Sequence, residues 1–335
     1  MLFSIMLYGL IEYQMVIYGL SQGKGQLSII LNTQPVNDVL KDEKFPDSLK
    51  QKLQLIQEIK QFTVDSIGFR PSNNYSTLYQ QDKNAILRVV SACEPYSFQA
   101  KEWTFPILGT VSYKGFFNRD EARKEIYLLR LKGDDVDVYS PSGWSTLGWL
   151  KDPILFNMLY KSEGQLANLI IHELTHSTLY VKSNVTFNEN LANFIGEKGA
   201  EKFLKYKYRD KSQQYLNYEY SKDDEKIFKD YILKSKDKLD SLYTKLKTEK
   251  NEGIKKQKKM NLLTEIVRGV NKLPLHKKQI YFNYSLQIFK EKNAFFMAFS
   301  RYDSQYDIFE KEFKEQFQSN LPNYMSYLKK KYPSL

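Results

Sequence analysis

The chain has 335 residues, 42% of them apolar and 15% aromatic, which excludes a disordered polymer and suffices for one large core or two compact ones. Its only cysteine, Cys93, excludes an intrachain disulfide and a cysteine-based zinc site, and reads as a small buried residue. The net charge of +11 concentrates in residues 201–260, but acidic residues interleave with the lysines there. The densest run, 245–259, therefore reads as a solvated helix face, and nucleic acid is not an expected partner.

Residues 1–20 are mostly apolar and long enough to cross a bilayer, yet they carry Glu12 and Gln14, which are costly in lipid. No basic start, cleavage site or early cysteine marks a secretion or lipidation signal. Residues 1–24 read as an apolar helix, either a membrane tether or a helix packed on the protein. A second helix follows Pro46, capped by Asp47 or Ser48, with Leu49, Leu53, Ile56 and Ile59 on one face and Gly68 and Pro71 ending it. Strands are expected over 85–92, 105–116 and 136–139, whereas 125–131 fits a strand or a helix. After Ala200 the pattern is helical over 201–210, 223–249, 255–271, 278–303 and 307–331. Gly253 and Pro274 mark breaks, and Pro322 lies within or interrupts the last segment. His276, after Pro274 in a lysine-rich turn, reads as a surface residue.

The informative stretch is 166–200, LANLIIHELTHSTLYVKSNVTFNENLANFIGEKGA. In HELTH, His172 and His176 are four apart, so on a helix both imidazoles share one face one turn apart, with Glu173 beside them as a general base. Thirteen residues after His176, beyond the turn-prone Lys182-Ser183-Asn184, Glu189 opens a second helical pattern as third ligand. Ala192, Gly196 and Gly199 lie on the Glu189 face, leaving it bare enough for close approach to the first helix. Asn168 reads as a surface or capping amide, with a partner to the metal-binding histidines as the alternative. A third histidine six residues after His176 would define another zinc class, but position 182 is Lys. One zinc ion per chain is the expected cofactor.

HELTH followed by NENLA resembles the gluzincin metallopeptidases, in which the Glu of an NExxA-type helix completes HExxH, although the gap here is shorter than in thermolysin-like members. More closely, the run through EWTFPILGTVSYKGFF and SGWSTLGWLKDPIL to FNENLANFIGEKGA is similar to a bacterial family described as zinc aminopeptidases, over most of residues 20–205. The resemblance implies a peptide substrate, an aminopeptidase activity and a bacterial source, with membrane association through residues 1–20. It also makes ILGTVSYKGFF the candidate substrate-pairing strand, with Gly109 allowing close backbone approach and Tyr113 orienting the peptide. Ordinary core packing is the other reading of both residues. Trp144 in SGWSTLGW is a candidate cleft wall or a packing residue. Tyr302, near the end of KEKNAFFMAFSRYDSQY, is one of 25 tyrosines open to an oxyanion role.

The expected architecture is α+β: a zincin-like catalytic part with a small β-sheet over 25–205, then a mostly helical C-terminal part over 206–335, with the cleft between them. The expected function is peptide hydrolysis by a zinc-activated water with Glu173 as base. The alternative from another class is a membrane-associated binding or scaffold protein with a structural zinc site.

Overall fold

A computed structural model describes residues 2–80, 86–105, 109–140, 151–182, 184–300 and 306–332. In chain order the elements are α1 (Leu2–Leu31), β1 (Thr33–Pro35), α2 (Val36–Lys41), α3 (Asp47–Phe62), β2 (Thr77–Tyr79), β3 (Arg88–Cys93), β4 (Trp103–Phe105), β5 (Gly109–Val111), β6 (Lys114–Phe116), α4 (Arg119–Leu131), β7 (Asp135–Tyr139), β8 (Ile154–Leu155), α5 (Glu163–Thr178), α6 (Val185–Tyr208), α7 (Gln213–Leu246), α8 (Glu252–Val270), α9 (Lys278–Glu291), α10 (Asn293–Ser300), α11 (Tyr306–Phe317) and α12 (Leu321–Lys331). The fold is mixed α+β with small sheets and a helical C-terminal part, as the sequence pattern implies.

Several boundaries differ from the sequence expectation, each for a local reason. The single strand expected over 105–116 is divided: β4 pairs with β5, whose first residue Gly109 has φ +71°, and β6 pairs with β3. Residues 125–131 belong to helix α4, because the Asn118 side chain accepts from the Asp120 and Glu121 amides at 2.8 and 3.2 Å and two carboxylates occupy the first turn. The segment 278–303 breaks at Lys292, φ +48°, and 307–331 breaks at Gln318 and Ser319, φ +50° and +59°. Pro322 then falls in the first turn of α12, where its missing N–H is not needed. Strands β1, β2 and β8 have two or three residues each, too few for an alternation to announce them.

The chain forms two compact units, each assembled from three stretches. The first comprises Met1–Ser28, Ala85–Pro141 and Ser221–Ser300. Its antiparallel sheet β6-β3-β7 turns Val90, Ala92 and Val136 toward Ala122 and Leu129 of α4, while the opposite strand positions Ser91, Cys93, Asp135 and Asp137 are also buried. Helix α1 docks here: the Tyr18 hydroxyl donates to the Gly115 carbonyl at 2.6 Å, and a Cβ at Gly25 would lie 2.3 Å from the Phe117 ring. Among the described residues no helix is long and apolar enough to cross a membrane. Phe228, Ile232, Leu263, Ile266, Ile288 and Phe296 build a separate core from α7 to α10.

The second unit comprises Ile29–Asn84, Ser142–Tyr220 and Arg301–Leu335. Strand β2 pairs antiparallel with β1 and parallel with β8, Leu78 opposite Ile154. Helices α3 and α6 pack on α5, and α11 packs on α6. Phe194 on α6 is fully buried among the rings of Tyr306, Phe309, Phe313 and Tyr324, at centroid distances of 5.4 to 6.1 Å. That aromatic cluster locks the rotation of α6 about its axis, and with it the direction of Glu189.

Candidate metal centre

Helix α5 starts at a capping box. Ser162 Oγ accepts from the Gln165 N–H and Gln165 Oε1 accepts from the Ser162 N–H, both at 3.4 Å. In the first turn Glu163 accepts from Lys52 at 2.7 Å, fastening α5 to α3. Leu166, Ala167, Ile170, Ile171 and Leu174 are buried, which fixes the helix face on which His172 and His176 project together. Their rings lie 5.0 Å apart at 85°. His176 is 5% exposed, and its Nδ1 has no protein partner.

The link to α6 is short and tied at both ends. Asn184 caps α6 by accepting from the Phe187 amide at 3.1 Å. The buried Asn188 side chain clasps Val181, accepting from its N–H and donating to its carbonyl, both at 2.8 Å. Glu189 follows directly. Its Oε2 and Oε1 lie 3.6 and 3.5 Å from Nε2 of His172 and His176. One ligand atom from each of the three residues can be chosen so that all lie within 4.8 Å of one another.

The bare face of α6 does what its composition implies. A Cβ at Gly196 would stand 2.5 Å from Asn168 Oδ1, 3.0 Å from the Asn168 carbonyl and 3.1 Å from His172 Cβ. At Gly199 it would meet Ile171 Cγ2 at 2.8 Å. The two helices therefore touch through these glycines, near enough for a short carboxylate to reach both imidazoles. Asn168 is not the surface or capping amide expected from sequence: it is half-buried at this crossing and donates to the Tyr218 hydroxyl at 3.0 Å.

These distances suit a shared cation better than direct hydrogen bonds. Ligands bound at about 2.0–2.1 Å in tetrahedral array stand roughly 3.3 Å apart, whereas a hydrogen bond would close to about 2.7–3.2 Å. Electrostatics fit as well. Burial pulls the His176 pKa down to about 4, helped by His172 and opposed by Glu189, so its imidazole is neutral as a ligand must be. Burial disfavours charge on Glu189, yet His172 and His176 outweigh it and hold the carboxyl below its usual range. For His172, burial lowers the pKa but Glu189, Glu173 and Asn193 together raise it. Burial pushes Glu173 up to about 7, against His172, with Glu189 and Asp152 adding to the rise. The donor set of two imidazoles and a carboxylate, with a second carboxylate alongside, fits a metal ion.

The structure thus brings together His172, Glu173, His176 and Glu189. Gly109 and Tyr113 belong to the first unit: Gly109 is exposed at the start of β5, and Tyr113, 44% exposed, lies between β5 and β6. Trp144 and Tyr302 lie outside the described residues. Sequence reasoning passed over Asn188 and Asn193. Asn193 lies one turn beyond Glu189 on α6, a spacing that puts it on the Glu189 face, and Asn188 is marked only by its place directly before Glu189.

Against known proteins, the model of a family described as "Putative aminopeptidase" matches residues 17–331. No curated protein and no solved structure matches.

Proposed function

Because the chain belongs to the putative aminopeptidase family over nearly its whole length, we propose that it is a zinc-dependent metallopeptidase of the gluzincin type that removes residues from free peptide N-termini. The observation that carries this reading is the convergence of His172, His176 and Glu189 with Glu173 beside them and outside the ligand group.

His172, His176 and Glu189 would hold the ion, and a bound zinc supplies a Lewis acid for the peptide carbonyl and lowers the pKa of a water. Glu173 accepts the proton of the attacking water and delivers it to the departing amine nitrogen. Its pKa near 7 suits both transfers, since a base is most effective when its pKa is close to the working pH. A structural zinc calls for four protein ligands, and among the described residues this group offers three, which favours catalysis over the scaffold reading.

Elemental analysis of the wild type and of Glu189→Ala, paired with hydrolysis of free and N-blocked peptides, tests the proposal. One zinc per chain, lost in the variant, with cleavage of free peptides alone, is the expected result. A zinc-free and inactive wild type would refute it.

A further inference from the structure

Helix α1 is docked along one face. The Tyr18 hydroxyl bonds the Gly115 carbonyl, and its ring packs on those of Phe105 and Phe116 at centroid distances of 5.4 and 5.8 Å. The Ser21 hydroxyl sits 3.1 Å from both oxygens of the Glu121 carboxylate, and Gly25, one turn on, abuts the Phe117 ring. At about 100° per residue, Tyr13, Val16, Ile17, Leu20 and Leu27 project away from these contacts, and they are 44% to 69% exposed. All five lie in the Met1–Ser28 stretch of the first unit.

These outward residues carry a spacing that neither solvent nor lipid requires. Tyr13, Leu20 and Leu27 recur at steps of seven, and Ile17 and Lys24 fall between them. The resulting alternation of four and three is the repeat by which one helix meets another. Val16 widens the seam, and Gly19 and Gly23 border it with open space, since a Cβ on either would find nothing within 4 Å. A lysine at one core position of such a repeat costs stability but selects orientation and register.

The seam is complementary to itself in one orientation. When two copies of α1 run antiparallel about a two-fold axis level with Tyr18, Tyr13 comes level with Gly23 of the second copy, Ile17 with Gly19, and Leu20 with Val16. Bulky residues thus face small ones, as interdigitation requires. Lys24 comes level with Glu12 of the second copy, and these two are the only charged residues in α1. Parallel pairing would instead set Lys24 against itself. We propose that α1 is a dimerisation helix whose exposed face is covered by α1 of a second copy in antiparallel pairing. The two-fold axis makes each contact twice and closes the assembly at two chains.

Sedimentation equilibrium of the full-length protein in detergent-free buffer, over a series of concentrations, tests the pairing. The wild type should dimerise. Leu20→Lys should stay monomeric throughout with unchanged far-ultraviolet circular dichroism, because Leu20 is exposed in the single chain. Lys24→Glu should weaken dimerisation about 10-fold, since both symmetric pairs then set like charges level with each other, and adding Glu12→Lys to it should restore the wild-type constant. A dimer that survives Leu20→Lys is held by another surface and overturns the proposal, and failure of the double variant to recover overturns the antiparallel register. A monomeric wild type overturns it as well, and flotation of that monomer with phosphatidylglycerol vesicles would assign the face to lipid.

Discussion

Each compact unit buries a charged cluster, and the two do so by opposite means. In the first unit Asp135 accepts from Lys259 Nζ and, at 3.2 Å, from the Asn293 N–H. Lys259 also donates to the Pro95 carbonyl at 2.6 Å, and Asn293 Nδ2 reaches the carbonyls of Glu94, Pro95 and Ser97. Opposite charges meet and their spare donors find acceptors. In the second unit His172, His176 and Glu189 converge without closing to hydrogen-bond distance, His176 Nδ1 has no partner, and Glu173 is held near neutrality. A satisfied network stabilises, whereas a group of donors left short of contact is poised for something else.

If that contrast is right, the two clusters fail differently. Glu173→Gln should lower peptide hydrolysis by about 10²- to 10⁴-fold while zinc content and melting temperature hold; full activity would remove Glu173 as the base. His176→Ala should lose both zinc and activity in the same assays. Breaking the satisfied network works the other way. Lys259→Met leaves the buried Asp135 with the Asn293 N–H at 3.2 Å and with Lys292, 3.5 Å away and 40% exposed, and should cost about 3–5 kcal/mol in denaturant unfolding without changing zinc affinity. An unfolding midpoint equal to the wild type would show that the pair contributes nothing.

Smaller changes sharpen the comparison within the second unit. Gly196→Ala adds a methyl 2.5 Å from Asn168 Oδ1 and forces α5 and α6 apart, so it should cost about 1–3 kcal/mol and weaken zinc binding together. Zinc affinity unchanged at lowered stability would separate helix spacing from ligand geometry. Ser162→Ala removes the cap of α5 at the end remote from the histidines and should cost about 1 kcal/mol with zinc affinity intact, read by the same titration.

The convergence of His172, His176 and Glu189 is legible because helical periodicity places residues four apart on one face, and because a face bare of side chains, Ala192, Gly196 and Gly199, signals close approach without any structure. The close contacts at Gly196 and Gly199 are that signal in three dimensions. Other features leave weaker traces. Lys292, Gln318 and Ser319 take positive φ at helix ends closed by local bonds, Lys292 N–H to the Ile288 carbonyl and Ser319 N–H to the Phe313 carbonyl, and no glycine marks these turns in the sequence. The division of 105–116 between two sheets falls at Ser112 and Tyr113, between β5 and β6, and the apolar pattern runs on across both residues. The interleaving of three stretches into each unit depends on contacts between residues far apart in sequence, which a periodicity does not record.

The clasp of Asn188 on Val181 gives the thirteen-residue interval between His176 and Glu189 a mechanical meaning. Val181, the Asn184 cap and Asn188 close a small ring, so the connector acts as a gauge rather than a tether. Adding or deleting one residue in the first turn of α6, between Val185 and Asn188, turns the rest of the helix by about 100° relative to the Asn184 cap. Glu189 would leave the glycine face, and the helix could no longer settle against α5. Length variation in most surface loops is nearly silent; here it would rewrite the ligand set.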